Sequence, residues 1–149
     1  MILPCTSTAQ SGWLALRQAL WPECPEAEHL TEMQLFVEQP EKYVQFVAYS
    51  VDGQPAGLVE AALRTDYVNG TDTSPVAFIE GMYVAPAFRR QGVARSLMRV
   101  VADWARTRGC TELASDALLE NTASHAMHAA LGFEETERVV FFRKLLAPA

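Results

Sequence analysis

The sequence predicts an α+β fold, a mostly antiparallel sheet covered by helices, and three observations predict it. The chain has 149 residues, the length of one domain spanning 1–149. Half of the residues are apolar and 20% are charged, which is enough to build a packed core and too apolar for a disordered chain. Apolar spacing switches between two and three-to-four along the chain. The resulting order is α-α-β-β-β-α-β-α-β, with room for a small first strand at residues 2–5, and helices interrupt a largely antiparallel run of strands.

The elements follow from local chemistry. Ser and Thr at 6–8 offer a cap for a first helix running to Leu20, with Trp13, Leu16 and Leu20 on one stripe and Trp21-Pro22 as its stop. Pro25 opens a second helix with Leu30, Met33, Phe36 and Val37 inward, and Pro40 closes it. Tyr43–Val51 is rich in aromatic and β-branched residues and reads as a strand. Asp52-Gly53 is a tight-turn signal, so a returning strand covers Ala56 to Arg64. A polar loop at 65–75 is long for a hairpin, and such loops are often functional.

Val76–Val84 is the next strand, stopped at Pro86. From Gln91 the period is helical through Val93, Ala94, Leu97, Met98, Val101, Trp104 and Ala105, and Gly109 ends it. A short strand at Glu112–Ser115 precedes a helix from Asn121-Thr122 to Leu131, closed by Gly132. Glu137–Leu146, with Val139-Val140-Phe141-Phe142 at its centre, reads as a final strand.

Charge and cysteine usage narrow the partners. A net charge of −6 is the wrong sign for a nucleic-acid binder and suits a cationic small molecule. No apolar run reaches the roughly 20 residues of a membrane span, and the first residues lack the basic and apolar regions of a signal peptide. Cys5, Cys24 and Cys110 are odd in number and widely spaced. They suggest neither disulfides nor a metal knuckle and fit a reducing, cytoplasmic setting.

The junction Val84–Met98 carries the chemistry. A strand ends, a short loop turns, and a helix begins at a glycine followed two places later by a small residue. The first amides of a helix have no internal partner, and the dipole favours an anion there. Gly92 and Ala94 leave the backbone uncovered, while Arg89 and Arg90 add positive charge, so a pyrophosphate can approach. No Gly-Lys-Ser/Thr follows, so this is not a P-loop.

With Asn121 and Gly132-Phe133 downstream, Arg89-x-x-Gly92-x-Ala94 after a strand resembles the GNAT acetyltransferase family. The resemblance implies a GNAT-like sheet with a splayed central strand pair. It implies acetyl-CoA held by the amides of Arg90, Gln91, Gly92, Val93 and Ala94, with Arg89 beside them. The pantetheine would run along Met82, Tyr83 and Val84, and Asn121 would touch the cofactor. His128 stands where the family usually has a tyrosine that protonates the leaving thiolate.

Pieces spread over the whole chain narrow the match. Leu20-Trp21-Pro22, Asp66-Tyr67-Val68-Asn69-Gly70, Ile79-Glu80-Gly81, Ala114-Ser115-Asp116 and Gly132–Arg138 look like the aminoglycoside 6′-N-acetyltransferases. That resemblance implies acetylation of a drug amine and resistance. It also implies Trp21, Tyr67, Glu80, Asp116 and Glu137 as substrate contacts, a homodimer, and no metal.

The chemistry is consistent with this implication. A polycationic substrate calls for carboxylates. Glu80 interrupts an apolar strand, and strict alternation places it on one face with Phe78 and Met82. Attack on a thioester needs a neutral amine and therefore a base: Glu80 first, Asp116 second. His125 and His128 lie three apart on a helix, but no third metal ligand is evident. Two other readings stay open from the residues alone: an acetyltransferase for a polyamine or protein amine, and a non-catalytic CoA-binding domain.

Overall fold

The computed structural model describes residues 1–148. The chain divides into two compact units, one ending at Asp116 and one beginning at Ala117.

The first unit is a five-stranded sheet in the order β1-β2-β3-β4-β5, with β1 Ile2–Pro4, β2 Tyr43–Tyr49, β3 Pro55–Arg64, β4 Val76–Val84 and β5 Leu113–Ala114. The first four strands are antiparallel neighbours, and β5 joins β4 in parallel. Successive residues of β3 face opposite ways, which sorts the helices. Leu58 lies in the cluster of Trp13, Leu16 and Met33 from α1 (Trp13–Leu20) and α2 (Glu26–Glu38). A Cβ on Gly57 would meet Val93 and Leu97 of α3 (Val93–Thr107), so α3 covers the other face.

The helix-period stripe on α3 is buried as expected at Leu97, Met98, Val101 and Ala105. Its end is a Schellman motif: Cys110 N–H reaches Ala105 O and left-handed Gly109 N–H reaches Arg106 O. The second unit contains α4 (Thr122–Ala130), which ends the same way through Gly132 and Phe133.

Several expectations need correction. The first helix begins at Trp13 behind left-handed Gly12, and the residues at 6–8 cap nothing helical. In α2 the inward stripe is His29, Met33, Phe36 and Val37; Leu30 is 41% exposed and His29 fully buried. The reason is a polar partner: His29 Nδ1 accepts from Arg17 Nε at 3.1 Å, so His29 takes the inward position expected of Leu30. The expected final strand, Glu137–Leu146, forms no strand and no ladder, and Phe141 and Phe142 are 85% and 90% exposed. A strand needs a paired neighbour, and β propensity alone does not supply one.

Candidate active site

Glu80 lies at the one irregularity in the β3–β4 ladder. Glu60 pairs with Gly81 and Ala61 with Ile79, so β4 holds one extra residue, and that residue is Glu80. Bulges of this kind re-aim a side chain and end regular pairing. The bulge also corrects the alternation argument. Phe78 pairs with Ala62 and Met82 with Val59, positions an odd number apart on an unbroken strand, so Phe78 and Met82 lie on opposite faces.

The other edge of β4 is released at the same place. β5 pairs only with Ala77 and Phe78, so among the described residues Ile79–Val84 has no neighbour on that side. Met82, Tyr83 and Val84 all lie in this released stretch.

The carboxylate of Glu80 is held above the usual range. Partial burial is the first cause; the Arg64 cation opposes it, and Asp116 and Glu60 reinforce it. Glu80 and Asp116 therefore lie within electrostatic reach of each other. Arg64 is shared: its Nη2 donates to Asp66 at 2.5 Å, which holds the Asp66 carboxyl below its ordinary value. The guanidinium also covers the Phe78 ring at 5.4 Å.

Tyr67 is 74% exposed on the 65–75 loop, while its neighbour Val68 is buried against Val76 and Ala114. The far end of that loop is tied to the sheet by Glu112. Its Oε1 accepts from Asp72 N at 2.9 Å, from Thr73 N at 2.7 Å and from the Thr73 hydroxyl, which depresses the Glu112 pKa. Glu112→Ala is expected to speed amide hydrogen exchange at Asp72 and Thr73 severalfold, with exchange in β3 unchanged. Unaltered exchange in the loop would show that Glu112 does not tie it.

At the start of α3, Arg90 and Gly92 both have left-handed backbones, φ 63 and 81. A Cβ built on Gly92 would meet nothing within 4 Å, so the space in front of the helix is open. Ser96 N–H is bonded back to Gly92 O, and the amides of Val93 and Ala94 precede the first complete turn. Gln91 and Arg89 are turned inward to the junction: Gln91 Nε2 donates to Ala87 O at 3.3 Å, and Arg89 Nε to Val84 O at 2.9 Å. Arg89 thus fastens the loop to the end of β4.

Asn121, His128 and Glu137 belong to the second unit. Asn121 is the N-cap of α4, its Oδ1 accepting from Ser124 N at 3.1 Å, which leaves its amide NH2 as a donor. His128 Nδ1 lies 2.7 Å from Ser124 O. A carbonyl only accepts, so Nδ1 carries hydrogen and a neutral ring has its lone pair at Nε2. A proton delivered from Nε2 must come from the imidazolium. His125 Nε2 likewise faces Leu118 O at 3.0 Å. Glu137 is exposed near the Glu135–Arg138 pair. Among the described residues, no three His, Cys, Asp or Glu side chains are grouped to hold a metal.

The sequence reading passed over a buried polar group under the bulge. Arg17 is 1% and Glu60 2% exposed. Arg17 Nη1 donates to both Glu60 oxygens at 2.5 and 2.7 Å, Nη2 to Glu32, and Trp13 Nε1 donates to Glu60 at 2.8 Å. Burial pushes the Glu60 carboxyl up, and Arg17 opposes that. Removing one partner of such a pair typically costs about 3–5 kcal/mol. The signal was present, because Glu60 interrupts Gly57–Leu63 as Glu80 interrupts β4.

The model of the acetyltransferase (GNAT) family matches residues 13–133. An aminoglycoside N(6′)-acetyltransferase type 1 from Acinetobacter genomosp. 13 is 52% identical over 143 residues, 96% of this chain and 97% of the relative. Its namesake from Serratia marcescens is 49% identical over 98% of this chain and 99% of the relative. The crystal structure of aminoglycoside antibiotic 6′-N-acetyltransferase AAC(6′)-Ih from Acinetobacter baumannii superimposes with a TM-score of 0.92 at 49% identity, covering 99% of both chains. The structure of AAC(6′)-Iy with the bisubstrate analogue CoA-S-monomethyl-acetylneamine gives 0.91 at 44% identity, covering 98% of both.

Proposed function

The chain belongs to the acetyltransferase (GNAT) family, and on that premise we propose that it transfers the acetyl group of acetyl-CoA to the 6′-amino group of aminoglycoside antibiotics and so confers resistance. The observation that carries this reading is the coincidence at β4. The strand loses its β5 neighbour at Ile79, and the next residue, Glu80, is bulged out of the ladder.

The residues fit acetyl-CoA. The released edge of β4 offers main-chain groups to the pantetheine amides. The open space before Gly92, with the amides from Arg90 to Ala94, suits the pyrophosphate. When bound, acetyl-CoA supplies the activated acyl carbon. The family match runs across both units, which supports one catalytic domain over the whole chain.

Glu80 takes a proton from the 6′-ammonium, directly or through water, and Asp116 holds the cationic substrate beside it. The amine nitrogen attacks the thioester carbon to form the C–N bond, sheds its second proton to water, and the C–S bond then breaks. An N–H of Tyr83 or Val84 stabilises the oxyanion, and the His128 imidazolium returns a proton to the thiolate. Trp21 and Tyr67 contact the sugar rings, with Glu137 binding an ammonium group. The reaction belongs to the cytoplasm, in keeping with three free cysteines.

Thiol release from acetyl-CoA with kanamycin, followed by mass mapping, tests the reading. One acetyl group at the 6′-amine is expected. Turnover with spermidine or a peptide but not with kanamycin would transfer the activity to another amine.

The active form is a homodimer. Residues 137–146, rich in residues that favour β structure, expose Val140, Phe141 and Phe142, and β5 ends the sheet with no further strand on its outer edge among the described residues. An unpaired strand and an unpaired edge complement each other across two copies. Phe141→Asp with Phe142→Asp is expected to shift the protein from dimer to monomer in light scattering. An unchanged mass would remove this segment from the interface.

A further inference from the structure

The buried polar group beneath β4 has more partners than a structural ion pair needs. Arg17 uses Nε on His29, Nη1 on Glu60 and Nη2 on Glu32, so three residues fix the guanidinium plane from three sides. The face of that plane lies 4.9 Å from the Trp21 ring centroid and 5.7 Å from that of Phe36. Trp21 is the C-cap of α1, its N–H still bonded to Arg17 O. The benzo edge of the ring meets Gly81: a Cβ there would lie 2.5 Å from Cη2 and 2.7 Å from Cζ2. Gly81 is the next residue after the bulged Glu80 and the ladder partner of Glu60. Glu60, Arg17, Trp21 and Gly81 therefore form a closed circuit around the bulge.

We propose that Arg17 is a positioning residue for the aminoglycoside: held by Glu60, Glu32 and His29, it covers one face of the Trp21 ring while Gly81 meets the ring's edge beside Glu80, which sets the other face of the indole for the sugar ring to stack on. This rests on the assignment of Trp21 as a substrate contact. Glycine is required at 81 because any side chain would occupy the place of the indole. Arginine is required at 17 because a lysine keeps the charge for Glu60 but has no planar face and donates from one nitrogen, which cannot reach His29, Glu60 and Glu32 as three separate nitrogens do.

The test is a double-mutant cycle on the full-length enzyme with kanamycin and acetyl-CoA. Arg17→Lys is expected to raise the KM for kanamycin about tenfold, the equivalent of ~1.4 kcal/mol, and to leave the KM for acetyl-CoA unchanged. In a Trp21→Ala background the same change is expected to add nothing. A rise in both KM values, or full additivity with Trp21→Ala, would overturn the inference and leave Arg17 as a fold residue. Glu32→Gln repeats the cycle from the partly exposed end of the cluster, so a failure of Arg17→Lys to fold still leaves a decision. It should give the same pattern with a smaller rise, and no rise or an additive one overturns the inference. If the wild-type protein does not acetylate kanamycin, the functional reading fails and takes this inference with it. If wild type turns over and the Arg17 and Glu32 variants match it, this inference alone fails.

Discussion

Glu80→Gln is expected to lower kcat by about two to four orders of magnitude, the range of general-base contributions, while the KM for acetyl-CoA stays within a factor of about two. The substrate arrives as an ammonium, and a site rich in carboxylates makes it a weaker acid still. A strongly binding site thus resists the deprotonation that attack requires, and a base with an ordinary carboxylate pKa would be poorly matched. Burial lifts Glu80, and Asp116 and Glu60 lift it further against Arg64 and Lys42.

The direction of those influences fixes the pH behaviour. With Glu80 as the proposed base, activity needs it ionised, so kcat/KM is expected to fall on the acid side as Glu80 takes up its proton. Asp116→Asn removes a negative neighbour, favours the ionised form, and moves that acid limb to lower pH. Arg64→Met removes a positive neighbour and moves it to higher pH. The pH profile of kcat/KM for each variant checks both signs. If Asp116 is the base instead, Asp116→Asn abolishes turnover and Glu80→Gln only shifts the limb, so the two assignments give opposite results.

Much of this arrangement was legible in the sequence, and the exceptions share a cause. The α3 stripe, Gly109 and Gly132 report on their own few neighbours, and local spacing is enough to read them. The bulge at Glu80 is different. An extra residue in a strand is visible only against the partner strand, because alternation along β4 alone looks regular. Arg17 and Glu60 lie 43 positions apart, so nothing local tells that each neutralises the other. The same pair explains the error in α2, where a histidine displaced a leucine from the core. The C-terminal run Val139–Phe142 has the composition of a strand, yet no described residue pairs with it in a ladder. Of the candidate site, the junction before α3 was complete in the sequence, since a helix start, a glycine and a small residue define it. The substrate side was legible only as separate carboxylates and aromatics.

Gly92→Val is expected to raise the KM for acetyl-CoA about ten- to a hundredfold, with kcat at saturating cofactor largely retained. Two effects act in the same direction. Position 92 has φ 81, which a β-branched residue adopts at a cost of roughly 1–2 kcal/mol, so the loop is pulled towards a different backbone. Any such movement takes the amides of Val93 and Ala94 off the pyrophosphate, and hydrogen bonds to a charged group are worth about 1.5–3 kcal/mol. The side chain would also stand in the open space where the phosphates approach. The fold should tolerate the change, because a Cβ at 92 touches no protein atom and α3 is held by Leu97, Val101 and Ala105 further along. Gly92→Ala separates the two effects: it keeps most of the backbone strain and adds little bulk, so its KM should fall between wild type and Gly92→Val. Steady-state kinetics with acetyl-CoA varied, beside calorimetric titration with CoA, measures both. An unchanged KM with a folded Gly92→Val protein would place the pyrophosphate away from the start of α3.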